Sequence, residues 1–147
     1  MEKLITPSIK ALLGEIKHFD FHITGSFALC ALGKLNRPIK DLDLVSNDPR
    51  LIKHLRKRCM ILDDIIDFPN QCRYEYNESL YIDLFINTPI PNEKITPVKI
   101  LDFNLTLVNP DSIFLNKLSI LKKEGTSLKM RNKIIADLEQ YFHLTYN

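Results

Sequence analysis

Lys40-Asp41-Leu42-Asp43-Leu44-Val45-Ser46 alternates apolar and polar side chains from Asp41 to Leu44, the period of a β-strand. In a strand, Leu42 and Leu44 turn to one face and Asp41 and Asp43 to the other, a few ångströms apart. Aspartate is depleted in strands, and carboxylates that close raise each other's pKa unless a partner neutralises them. A divalent cation does so, and hard oxygen ligands on one face suit Mg²⁺. An isolated Asp-x-Asp also fits a solvated strand face. The meaning of the pair therefore depends on what the rest of the chain brings to it.

Immediately upstream, Phe19 to Thr24 alternates like a short strand, Gly25-Ser26 breaks it, and Phe27 to Leu32 reads as a helix stopped by Gly33. The turn Thr24-Gly25-Ser26 thus joins a strand to a helix. Glycine lets the backbone approach a ligand closely, and a helix N-terminus offers free N–H groups to a phosphate. A plain N-cap serine is the simpler account of that turn alone. Farther upstream, Thr6 and Pro7 open a helix over 6–18 that places Ile9, Leu12, Leu13 and Ile16 on one face. Lys34 to Lys40, with Arg37-Pro38, is a basic loop.

Downstream, Asp48-Pro49 caps a helix with Leu51, Ile52, Leu55 and Cys59 on one side, and residues 60–68 predict a strand. Residues 72–77 and 80–87 predict a hairpin around Asn77-Glu78-Ser79. In Tyr81-Ile82-Asp83-Leu84-Phe85-Ile86 an aspartate sits in an apolar run, with Tyr81 and Phe85 on its own side. An ionised carboxylate there is costly unless it is paired or bound to metal, so Asp83 needs either a Lys or Arg partner or a shared cation. After the Pro-rich segment 88–97, residues 98–108 carry one or two strands. Asn109-Pro110-Asp111 caps a helix to about Lys123, and a last helix from Ser127 to Leu144 is expected to bury Ile134, Ile135, Leu138 and Phe142. Lys117 falls in the apolar stripe Ile113, Phe114, Ile120, Leu121, where its ammonium pairs with a protein carboxylate or reaches a bound triphosphate. The class is α/β (α+β) around a small mixed sheet flanked by helices, with a C-terminal helical pair.

Composition narrows the function. With 45% apolar and 26% charged residues and a net charge of +2, the chain reads as globular, and the balance alone points to no polyanion. The expectation is a cytoplasmic protein: no apolar stretch approaches a membrane span, and Met1 to Lys10 lack a signal-peptide core. Cys30, Cys59 and Cys72 read as buried thiols rather than a disulfide framework or zinc site. His18, His22, His54 and His143 lie on separate elements without metal-ligand spacing. No Gly-x-Ser-x-Gly elbow and no Walker P-loop is present.

Gly25-Ser26-Phe27-Ala28-Leu29, then Gly33, Arg37 and Asp41-Leu42-Asp43-Leu44, with Asp83 on a later strand, resembles the nucleotidyltransferase superfamily of DNA polymerase β. Within it, the likeness is to minimal nucleotidyltransferases of the abortive-infection and toxin–antitoxin type. A departure is Lys40, where many members carry a small polar residue. The resemblance implies one domain over 1–147, a catalytic core over about 19–108 and C-terminal helices over about 109–145. It implies that Asp41, Asp43 and Asp83 are catalytic and hold two Mg²⁺ ions, with Mn²⁺ as an alternative. Gly25 and Ser26 would bind the nucleotide phosphates at the helix N-terminus, with Lys117 reaching toward the triphosphate. The activity implied is transfer of a nucleoside monophosphate from an NTP to a hydroxyl, with pyrophosphate released.

The sequence says less about the acceptor. Arg50, Lys53, Arg56, Lys57 and Arg58, together with Lys122, Lys123, Lys129 and Arg131, would suit tRNA or another RNA. A small antibiotic-like molecule would draw on Asp63, Asp64 and Asp67, and a protein hydroxyl is a third acceptor. A chain this short has little surface for a large acceptor, so a homodimer or partner chain is expected to assist. The reading from another class is a non-catalytic module that binds nucleotide or a partner.

Overall fold

The computed structural model describes residues 4–62 and 70–146. Its first helix, α1 (Pro7–Ile16), starts as the sequence dictates: the Thr6 hydroxyl accepts the Ile9 amide at 3.2 Å, and Pro7 occupies the first turn. Ile9, Leu12, Leu13 and Ile16 are all fully buried. The other helices are α2 (Gly25–Ala31), α3 (Pro49–Arg58), α4 (Pro110–Lys122) and α5 (Leu128–Tyr146). The strands are β1 (His22–Thr24), β2 (Asp41–Val45), β3 (Met60–Leu62), β4 (Gln71–Asn77), β5 (Leu80–Phe85), β6 (Ile95–Ile100) and β7 (Phe103–Val108).

The seven strands form one mixed sheet in the order β3-β4-β5-β2-β1-β7-β6. The central strand β2 runs antiparallel to β1 and parallel to β5, and β1 runs parallel to β7. Register puts Ile23, Leu42, Leu44, Ile82 and Leu84 on one face, and each is fully buried. Burying such a side chain contributes about 1.5–3 kcal/mol, so this layer dominates the stability of the sheet. Helices α1 and α3 cover that face: the Tyr76 hydroxyl of β4 donates to Glu15 of α1 and accepts from Arg58 of α3. The opposite face carries the polar side chains of β2.

Three expectations need correction, and a fourth falls partly outside the described residues. Strand β6 begins at Ile95, inside the segment read as a Pro-rich connection; Pro97 is tolerated because β6 is an edge strand. Of the strand expected over 60–68, Met60–Leu62 forms; Asp63, Asp64 and Asp67 lie outside the described residues. The three cysteines are free but only half-buried. On α5 the buried positions are Ile134, Asp137, Leu138 and Tyr141, whereas Ile135 and Phe142 are 44% and 50% exposed. The helix is turned about its axis from the purely apolar stripe because Asp137 points inward to two cations and Tyr141 stacks on Phe114 at 4.7 Å.

Candidate active site

Strand register assembles the polar face. Asp43 of β2 lies level with Asp83 of β5 on one side and with Thr24 of β1 on the other, while Asp41 lies level with Tyr81. Alternation then sends Asp41, Asp43 and Asp83 to the same face. Asp83 is buried, Asp41 and Asp43 are half-buried. Crowding shows in their titration: burial, followed by the charges of Asp83 and Asp41, pushes the Asp43 carboxyl up to about 8. Burial also raises Asp83, against the opposing guanidinium of Arg73. Three acids held so close require positive charge.

Arg73 supplies part of it. On β4, level with Asp83, its guanidinium contacts Asp41 at 3.3 Å and Asp83 at 3.3 and 3.4 Å, and lies over the Tyr81 ring. Of the two partners open to Asp83, the arginine is therefore present. The hairpin pairs Asn77 with Leu80, and a one-residue bulge between Glu75 and Asn77 sets Arg73 level with Asp83, a placement that follows from the pairing rather than from the sequence pattern of β4. Among the described residues, no three acidic, histidine or cysteine side chains converge tightly enough, as they stand, to hold an ion. The chemistry of Asp41, Asp43 and Asp83 nevertheless fits a hard divalent cation: all three offer oxygen donors from adjacent strands, and the Arg73 guanidinium bonds Asp41 and Asp83.

The Gly25 turn abuts these acids. Gly25 has φ +68°, and a Cβ there would lie 2.0 Å from Asp43 Oδ2, so only glycine lets the turn pass the carboxylate. Thr24 caps α2 without a side-chain hydrogen bond. Next to it, Ser26 Oγ accepts from Arg37 Nη2 at 2.8 Å. Arg37 also forks onto Asp137, Nε to Oδ1 at 2.8 Å and Nη2 to Oδ2 at 2.9 Å. Lys117 Nζ donates to the same Oδ2 at 3.2 Å. Burial would raise the Asp137 carboxyl, but the Arg37 fork and the nearby Lys117 outweigh it and hold it below the usual range. Lys117 is thus paired with a protein carboxylate, while its charge also acts on Asp43. All six residues singled out from the sequence fall in one neighbourhood. Asp137 on α5 ties the C-terminal helices to it.

A cleft of about 440 Å³ opens farther along this face, lined among others by His22, Val45, Ser46, Phe103 and Thr106. Val45 is two positions beyond Asp43 on the same side of β2, about 7 Å away. His22 lines it while its Nδ1 bonds the Thr106 hydroxyl at 2.7 Å. The basic residues of α3 lie across the sheet: Arg58 sits over the Tyr76 ring, and Arg50 is bound to Asp48 at 2.8 Å.

No family model matches the chain, and no curated protein matches it by sequence. Solved structures do match in fold. The lincosamide antibiotic adenylyltransferase LnuA, in its lincomycin-bound structure, is 14% identical with a TM-score of 0.60, covering 91% of this chain and 96% of that one. ANT(2")-Ia, in complex with adenylyl-2"-tobramycin, is 14% identical with a TM-score of 0.60, over 92% of this chain and 84% of that one. An antigenic nucleotidyltransferase-like protein from Paracoccidioides brasiliensis is 19% identical with a TM-score of 0.59, over 97% and 77% of the two chains. The mixed sheet with its flanking helices is therefore the nucleotidyltransferase fold.

Proposed function

We propose that this chain is a nucleotidyltransferase that moves a nucleoside monophosphate from an NTP to a hydroxyl group and releases pyrophosphate. The observation that carries this reading is the placement of Asp41, Asp43 and Asp83 on one sheet face beside Gly25-Ser26. That placement occurs within a fold shared with two antibiotic-modifying enzymes. The domain is taken as the whole of 1–147, with the core over 19–108 and the helices over 109–145 as its cover.

Asp41, Asp43 and Asp83 would hold divalent cations, Mg²⁺ with Mn²⁺ as the alternative. Such ions supply charge neutralisation for the phosphates and a lowered pKa for the attacking hydroxyl. Ser26 and Lys117 bind the β- and γ-phosphates, and Gly25 keeps the backbone close to them. The acceptor oxygen bonds to the α-phosphorus as the bond to the bridging oxygen breaks, and the leaving pyrophosphate carries away the electron pair. Asp83 takes the acceptor's proton on a carboxylate oxygen. Arg73 neutralises Asp41 and Asp83 when no cation does.

The acceptor favoured is a small hydroxyl-bearing molecule. The cleft beyond Asp43 has the volume of a small-molecule site, and LnuA and ANT(2")-Ia were solved with small molecules of this kind. RNA fits less well because one of its two basic clusters, that of α3, is on the other side of the sheet. The test is to incubate the protein with each α-labelled NTP, Mg²⁺ and either a hydroxylated small-molecule panel or cytoplasmic RNA, alongside Asp41→Ala/Asp43→Ala. Label on a small molecule, absent with the variant, supports the reading. Label on RNA replaces the acceptor, and labelled product undiminished in the variant overturns the site.

A further inference from the structure

The proposed triphosphate site draws on three separate elements: the cations Arg37 on the loop before β2 and Lys117 on α4, and the Ser26 hydroxyl at the start of α2, which takes a hydrogen bond from Arg37. One group joins them. Asp137 is 2% exposed, sits near the middle of α5, and accepts from both Arg37 and Lys117. We propose that Asp137 is a positioning residue that sets Arg37 and Lys117 for the phosphates of the incoming nucleotide; this rests on the reading given under Proposed function.

Geometry and charge carry the inference. A guanidinium and an ammonium brought together without a counter-charge repel and spread apart. With Asp137 between them they keep a net positive charge beside Ser26. The fork on Asp137 uses Nε and one edge of Nη2, which locks the guanidinium plane and aims Nη2 at Ser26 Oγ. Because Ser26 Oγ accepts from Arg37, the serine proton is released to donate to another oxygen. Lys117 keeps two of its three N–H donors beyond the one given to Asp137, and its charge reaches Asp43. A carboxylate whose only role was to anchor α5 would need one cation; Asp137 holds two from different elements, one of which also bonds Ser26 Oγ. The C-terminal helix therefore belongs to the phosphate site without touching the phosphates.

The experiment compares wild type, Asp137→Asn, Asp137→Glu, Arg37→Ala and the Asp137→Asn/Arg37→Ala double variant. Each is titrated calorimetrically with Mg²⁺ and an α,β-methylene NTP, with pyrophosphate, and with the nucleoside alone, and folding is followed by circular dichroism. Asp137→Asn is expected to weaken NTP and pyrophosphate binding about tenfold, the scale of one charge-assisted hydrogen bond, and to leave nucleoside binding unchanged. In turnover, KM for the NTP rises more than kcat falls. The double variant loses less than the sum of the two single losses, because part of the effect of Asp137 runs through Arg37. A purely structural role would shift melting but spare the pyrophosphate-against-nucleoside difference. If Asp137→Asn fails to fold, Asp137→Glu, whose carboxylate is displaced by one methylene, decides by the same comparison. Wild-type affinity in the folded variants, or full additivity with Arg37→Ala, overturns the inference. Failure of the wild type itself to bind the NTP overturns the underlying reading instead.

Discussion

Gly25→Ala perturbs the point where the turn and the acids meet. The new methyl would lie 2.0 Å from Asp43 Oδ2, 2.8 Å from its Cγ and 3.1 Å from its Cβ, at a backbone φ of +68°. The whole Asp43 side chain is in the way, so rotating a flexible tip does not relieve the clash. The left-handed backbone costs about 1–2 kcal/mol for a residue with a Cβ. Overpacking adds about 1–3 kcal/mol, giving about 2–5 kcal/mol in all. For a chain of this size that lowers Tm by roughly 5–20 °C. Gly33→Ala is the control: φ is +75°, but nothing lies within 4 Å of the added carbon, so it reports the backbone cost alone. Urea and thermal unfolding of the two variants separate the terms, and Gly25→Ala/Asp43→Ala should recover the steric part. A Gly25→Ala protein that melts with Gly33→Ala and keeps full nucleotidyl transfer would refute the contact between turn and carboxylate.

Other outcomes follow from the same contacts. Asp43→Asn should lower transfer roughly 10²–10³-fold, the scale for losing one preorganised electrostatic group, while Tm holds or rises because like charges are no longer crowded. Steady-state kinetics beside calorimetry checks both signs. Arg73→Gln leaves Asp41 and Asp83 unpaired, so the variant should melt lower without cation and gain more from added Mg²⁺ than the wild type does; equal gains would separate Arg73 from the cation site. Asp137 is held below its ordinary carboxyl range, so its contribution to stability is complete above the unfolded value of about 3.9 and fades as pH falls through the folded value. Urea midpoints of wild type and Asp137→Asn at pH 7, 4 and 3 should therefore converge only at the acid end.

Much of this site was legible because its residues break local rules. Two aspartates in a strand, one aspartate in an apolar run, and a glycine at a strand-to-helix turn each conflict with their setting, and each proves to adjoin the others. What was not legible depends on tertiary placement. Arg73 alternates with tyrosines on β4 as any solvent-facing residue would, and only the hairpin register sets it against Asp83. An apolar stripe on α5 runs through Ile135 and Phe142, whereas the ion pairs of Asp137 turn that residue inward instead. Pro97 masked the start of β6 because sequence alone does not tell an edge strand from a connection. The core was easier: α1 has one apolar face, and all four residues read on it are buried.

The most direct measurement is a crystal structure with a non-hydrolysable NTP and Mn²⁺, whose anomalous signal locates the ion. The account predicts a peak bounded by Asp41, Asp43 and Asp83, phosphates at Gly25-Ser26 near Lys117, and an Arg73 guanidinium withdrawn from the acids. A peak elsewhere, with Arg73 still bridging Asp41 and Asp83 and the nucleotide bound on another face of the sheet, would contradict it.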